Sequence, residues 1–277
     1  MRVRSVFDRV TGERAGAVAL GFILLLALVA IFGPGILDRD PSAISRSVLQ
    51  PPSGSAWLGT DHLGRDMLVR VVIGARVSLV VGLLAAGMAG ILGVTVGAIS
   101  GYFGRGVDLV LMRISEIFQV MPTVIIGVAI VALVGAGLVN IIIVIAVLSW
   151  ARTARVMRAE VLRVKEMPYV DAVRCLGYHE FILLLREVVP NALPAIIPLI
   201  SLGVAEAILQ ESSISFLGLG SPDMVSWGLL LNDGLKNLLR AWWMTTFPGA
   251  AVFMTVLAFN ILGDAIGALL NPHRVRA

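Results

Sequence analysis

Charge is scarce in this chain. Asp, Glu, Lys and Arg make up 14% of its 277 residues, against roughly a quarter in soluble domains. The deficit is concentrated: segments 15–37, 77–104, 117–151 and 241–263 hold no charged residue in 23, 28, 35 and 23 positions. A helix needs about 20 apolar residues to cross the ~30 Å hydrocarbon layer, so these runs exclude an ordinary soluble fold. Cysteine is nearly absent. Cys175 stands alone, which rules out an internal disulfide. The three histidines, His62, His179 and His273, lie far apart, and no zinc-ligand spacing occurs. Lysine is rarer still. Lys165 and Lys236 follow Val164 and Leu235, so the Gly-Lys-Ser/Thr of a phosphate-cradling loop is missing. The chain therefore binds no nucleotide through such a loop. Isolated serines and Cys175 show no nucleophile–base arrangement, which argues against an intramembrane enzyme and leaves no catalytic residue to name.

What is present is an all-α, polytopic membrane protein. The 35-residue run is too long for one crossing, and Gly135-Ala136-Gly137 divides it. Six spans are expected, at about 15–37, 77–101, 109–134, 138–160, 192–217 and 244–268. The first follows arginines but exceeds the 7–15 residues of a signal-peptide core, so it reads as a retained span. With the N-terminus inside, the inner segments carry 15 of the 22 basic residues and the outer segments 7. The positive-inside rule then places both termini in the cytoplasm. The net charge of +4 is accounted for by this placement and implies no nucleic-acid partner. The chain divides into residues 1–76, holding the first span and an outer polar segment, and a five-span core at 77–277.

Between the fourth and fifth spans lies an inner loop, residues 165–191, KEMPYVDAVRCLGYHEFILLLREVVPN. Pro168 suits the first turn of a helix. Tyr169, Ala172, Val173 and Leu176 follow at i, i+3, i+4 and i+7, one apolar stripe, with Asp171, Arg174 and Cys175 off it. Gly177 stops this helix. A return helix is expected from about Glu180 to Val189, with Pro190 ending it at the bilayer. Such a hairpin suits a groove on a partner protein; lying flat on lipid headgroups is equally open to it.

This loop resembles the EAA loop of bacterial ABC-importer permeases. In that loop a glycine lies six residues after a glutamate, and a proline thirteen after the glycine. Asp171, Ala172, Gly177 and Pro190 occupy those positions. Asp171 replaces the usual glutamate, Val173 the second alanine, and Glu187 and Val189 an isoleucine and a leucine. The stretch from Trp57 to Asp66, and that from Gly74 to Leu79, are similar to the block before the second span in dipeptide, oligopeptide and nickel permeases. Segments 215–220, 226–228 and 258–264 are similar to that subfamily's C-terminal blocks. The resemblance implies a type I ABC-importer permease fold and alternating access powered by ATP bound to partners. It implies a heterodimer with a second permease subunit, two cytoplasmic ATPases and an extracytoplasmic solute-binding protein. It makes residues Tyr169, Asp171, Ala172, Val173, Arg174, Leu176, Gly177 and Pro190 the ATPase-coupling loop. Short peptides are the expected cargo and nickel or another small solute the alternative. No cofactor or metal of its own is expected.

Two carboxylates, Glu206 and Glu211, interrupt the fifth span. Five residues are about 500° of helical rotation, so they point in different directions. Lining the translocation path, pairing with a partner subunit and an internal helix–helix hydrogen bond are all open to them. A proton-coupled secondary transporter using either one is the rival class.

Overall fold

The computed structural model describes residues 2–37, 40–221 and 223–270, with side-chain surroundings from residue 14 onward. The first helix, α1 (Arg2–Leu37), leads into an irregular strap and then α2 (Met67–Phe103). Next come α3 (Arg105–Val120), α4 (Thr123–Val134) and α5 (Leu138–Lys165). The hairpin follows as α6 (Pro168–Cys175) and α7 (Glu180–Leu183). After it come α8 (Val189–Ala192), α9 (Ile197–Ile214), α10 (Trp227–Leu235) and α11 (Trp243–Leu270). In hydrocarbon every backbone N–H and C=O must be satisfied within the segment, and helices alone achieve that for a single crossing.

Among the described residues five helices are long and apolar enough to cross a membrane, and a bent helix pair, taken as one span, makes six. The segment expected as the span 109–134 is this bent pair. Helices α3 and α4 meet at 91°. Pro122 disfavours a helical conformation for the residue before it, and Met121 is extended, at φ −71° and ψ 132°. The expected turn at Gly135 stands: it takes φ 106° and closes α4. Helix α2 begins earlier than its apolar run, at Met67, because the Asp66 side chain accepts from the Leu68 amide and caps it.

The centre of the bundle is α2 against α5. Gly97 lets them touch: a Cβ there would collide with the Ala154 carbonyl. This is the close approach small residues give membrane helices. Toward the N-terminal end of α2, Ala75 and Leu79 join Val204, Ile208, Trp227 and Phe259 in one buried cluster.

The strap is tied down by charge. Asp61 is fully buried and accepts from the amides of Leu63 and Arg65 at 2.8 and 2.9 Å. It also accepts from Arg65 Nε at 2.5 Å and Arg70 Nη1 at 2.6 Å. Arg70 reaches on to Asp233 of α10 at 3.2 Å. Trp243 is buried and donates to the Thr60 carbonyl at 3.0 Å, which ties the strap to α11. Trp227 donates to the Val71 carbonyl at 2.9 Å, which packs α10 onto α2.

Burial alone would raise the Asp61 carboxyl. The amides of Arg65 and Leu63 and the two guanidinium groups outweigh it and hold the group below its ordinary 3.8. A folded value below the unfolded one stabilises at and above the ordinary range and is lost as pH falls through the folded value. The strap should therefore still resist pepsin at pH 3.8 and open only under stronger acid. Asp61→Asn should remove that acid transition. Cleavage within 40–66, followed against pH, checks it.

Candidate functional site

The hairpin is built from a buried root and an exposed tip. Val170, Leu183, Leu184 and Val188 are fully buried and pack with Val161 and Val164 at the end of α5. Lys165 Nζ donates to the Gly101 carbonyl at 2.9 Å, tying that end to α2. Pro168 opens α6, and Gly177 turns the chain at φ 82°. The Gly177 amide donates to the Arg174 carbonyl at 3.0 Å.

The expected apolar stripe is present and faces away from the protein. Tyr169, Ala172 and Leu176 are exposed, with Leu176 at 77%, and Val173 is half-buried. The residue that anchors α6 is Val170, which the stripe omitted. Its signal was the 3-residue step to Val173 on the neighbouring face. Tyr178, Phe181, Ile182 and Leu185 extend the exposed apolar surface around the corner. Arg174 pairs with Asp171 at 2.7 Å and Glu180 at 3.2 Å, across the turn. The Tyr102 hydroxyl, at the end of α2, also donates to Glu180. These groups, with Lys165 and Glu166, line a polar recess of about 350 Å³.

Pro190 does not end the return helix. The chain runs from α7 through a π-helical turn, Leu184–Val188, into α8 and then a 3-10 turn, Leu193–Ala195, before α9. Proline is tolerated there because it falls in the opening turn of α8, where its missing N–H leaves no partner wanting.

The two carboxylates of the fifth span separate as the helical rotation requires. Glu211 is buried, 2% exposed. It accepts from Ser215 Oγ at 2.7 Å, Ser78 Oγ at 3.3 Å and Ser212 Oγ at 3.5 Å. That is an internal helix–helix bond between α9 and α2. Glu206 points outward and pairs with Arg152 of α5. Their side chains are 47% and 65% exposed. The sequence reading leaves the partner of Glu206 open and misses Arg152. The signal was available: a carboxylate within a span needs a cation at its own depth, and an ionised group facing lipid there costs roughly 2.5–3.5 kcal/mol. Gln119, Ser149 and Gln210 line the same groove of about 380 Å³. Gln210 donates to Ser149 Oγ at 3.4 Å and Gln119 to the Ala151 carbonyl at 3.3 Å. Among the described residues, no group of three His, Cys, Asp or Glu side chains converges on a metal position.

A membrane bundle with a bent helix pair and a hairpin between its fourth and fifth spans defines a class, and comparison with known proteins gives the same one. The family model "Binding-protein-dependent transport system inner membrane component" matches residues 93–276. The dipeptide transport system permease protein DppC of Bacillus subtilis strain 168 is 37% identical over 275 residues, 97% of this chain and 85% of that protein. The oligopeptide transport system permease protein OppC of the same organism is 36% identical over 266 residues, 95% and 87% respectively. The glutathione transport system permease protein GsiD of Pectobacterium atrosepticum is 34% identical over 260 residues, 92% and 86%. Among solved structures, the inward-facing MetNI methionine ABC transporter superposes with a TM-score of 0.60 at 20% identity. That match covers 74% of this chain and 97% of the other, a likeness of fold.

The chain belongs to the binding-protein-dependent transport system inner membrane component family. It is a multi-pass permease subunit with the type I ABC-importer fold, and a non-catalytic one. Membership brings with it a partner ATPase and a solute-binding protein.

Proposed function

We propose that this chain is one half of a heterodimeric permease that carries short peptides into the cell. Two cytoplasmic ATPases would drive it, and an extracytoplasmic binding protein would supply the cargo. The relatives named for dipeptides, oligopeptides and glutathione support that substrate class. The hairpin is the joint with an ATPase, and the single observation that carries this is its exposed apolar tip on a buried root. A soluble groove needs apolar anchors to hold, and a rigid root passes displacement into α5 and α9. Asp171, Arg174 and Gly177 fix the corner, while Tyr169, Ala172, Val173 and Leu176 meet the partner. Pro190 lies behind the corner, where the hairpin rejoins the bundle. ATP binding supplies the differential energy between states that alternating access requires. The excess of inner Lys and Arg supports cytoplasmic termini. The groove of Arg152 and Glu206 lines the translocation path between the two permease subunits. Glu211 holds α9 to α2.

Reconstitution tests this reading. The full set of two permeases, two ATPases and binding protein should concentrate a labelled dipeptide in proteoliposomes only with ATP, and an uncoupler should leave uptake unchanged. This chain alone should move nothing. Uptake that survives ATP depletion and collapses with the uncoupler would establish a proton-coupled carrier instead.

A further inference from the structure

The geometry points to Arg152 and Glu206 as a charge-exchange site for the two ends of a zwitterionic peptide in transit. Peptide ammonium replaces Arg152 on Glu206 as peptide carboxylate replaces Glu206 on Arg152. The inference rests on the proposed path and names what that path recognises.

Four observations support it. The pair sits well inside both spans. At 1.5 Å per residue, Glu206 is about 14 Å from the inner end of α9, yet both side chains are largely open. A face carrying ions at that depth meets water or protein rather than acyl chains. Second, the two members hold only each other. Among the described residues Arg152 is the one side chain hydrogen-bonded to Glu206, and a single Arg152 nitrogen makes the bond. The remaining guanidinium N–H groups and the other carboxylate oxygen are open to the groove. Contrast Glu211, five residues away, which three serine hydroxyls satisfy in the interior. Third, a solvated ion pair of this exposure is weakly held, so its partners exchange readily. Fourth, the groove is furnished for a peptide. Gln119 and Gln210 offer amides to a peptide backbone, and Phe118, Leu148 and Leu209 offer apolar walls to its side chains. Its volume of about 380 Å³ falls in the range of small-ligand sites. Arginine forms two parallel bonds with a carboxylate, so the C-terminal end has a directional partner.

The test uses the assembled transporter, with Gln210→Cys introduced in a Cys175→Ser background. A charged, membrane-impermeant methanethiosulfonate reagent labels the new thiol, and alanyl-alanine competes. Labelling with protection by the dipeptide is expected. Adding Glu206→Gln should raise the protecting concentration about tenfold, which is 1.4 kcal/mol. N-acetyl-alanyl-alanine should protect equally weakly with or without Glu206. Arg152→Gln should act in the same way on the free dipeptide and leave its C-terminal amide unaffected. Should Glu206→Gln fail to assemble, Glu206→Asp moves the carboxylate back by one methylene and should shift the protecting concentration in the same direction. Labelling with protection that ignores residue 206 overturns the exchange site and leaves the path standing. No labelling in any nucleotide state overturns the path, and the exchange site with it.

Discussion

Gly177→Val should cut ATP-driven uptake at least tenfold and release the ATPases from the purified permease, while the membrane bundle assembles normally. The residue turns the hairpin at φ 82°, and a side chain built there would meet nothing within 4 Å. Crowding is therefore not the cause of the loss. The left-handed region itself costs a residue with a Cβ about 1–2 kcal/mol, and a β-branched one is a true outlier there. Valine relieves that cost by returning to negative φ, which swings α7 relative to α6. Tyr169, Ala172 and Leu176 on one side of the corner and Phe181 and Leu185 on the other then no longer present one surface. Gly177 is exposed, so nothing in the bundle changes. Gly177→Asn is the control, because asparagine tolerates this conformation; it should retain most of the uptake. Equal uptake by the two variants would mean the corner transmits no force. Co-purification of the ATPases, scored beside uptake, separates lost docking from lost transmission.

Arg70→Met should destabilise the outer half of the protein by about 3 kcal/mol, the lower end of the range for breaking a buried ion pair. Arg70 is 2% exposed and joins Asp61, which is fully buried, to Asp233. Without it Asp61 keeps Arg65 at 2.5 Å, and Asp233 keeps the same guanidinium at 3.7 Å. That remaining partner is why the lower figure is expected. The loss should appear as a lower unfolding midpoint of the purified transporter. Adding Asp61→Asn and Asp233→Asn to the Arg70 variant should recover part of it, since the cost lies in carboxylates left without a cation. An unchanged midpoint for Arg70→Met would mean that the cluster contributes nothing. Arg70→Lys is not a conservative exchange, because one ammonium does not span two carboxylates on different elements as a guanidinium does.

Much of the fold was legible because the membrane imposes a coarse rule. A charge-free run of sufficient length is a span, whatever its neighbours are. The turn at Gly135 was legible for a local reason too: apolar length exceeded one crossing, and glycine was at hand. Pro122 also stood in the sequence, but its effect depended on whether the chain would kink within a span or fold back by 91°. Packing decides that. The hairpin's start at Pro168 and its corner at Gly177 are local chemistry, legible in the sequence. The residue that anchors it to the bundle is not. Tyr169, Ala172, Val173 and Leu176 satisfy the helical period as well as Val170 and Val173 do. Only the position of α5 selects which of them is buried.

The ion pairs divide in the same way. Asp61 and Asp233 are more than 170 positions apart and share no periodicity, yet Arg70 joins them. The Arg152–Glu206 pair spans α5 and α9, and both helices are registered on α2, α5 through Ala154 against Gly97 and α9 through Ile208 against Gly82. The sequence by itself determined that this chain lies in a bilayer, has no nucleotide loop and carries a bent helical projection on its basic side. Those properties follow from composition and from residues near one another in the chain. Tertiary structure alone decided which carboxylate is sealed among serines and which faces an open groove. A helix turns residues five apart to different sides, but only its neighbours make one side interior and the other exposed.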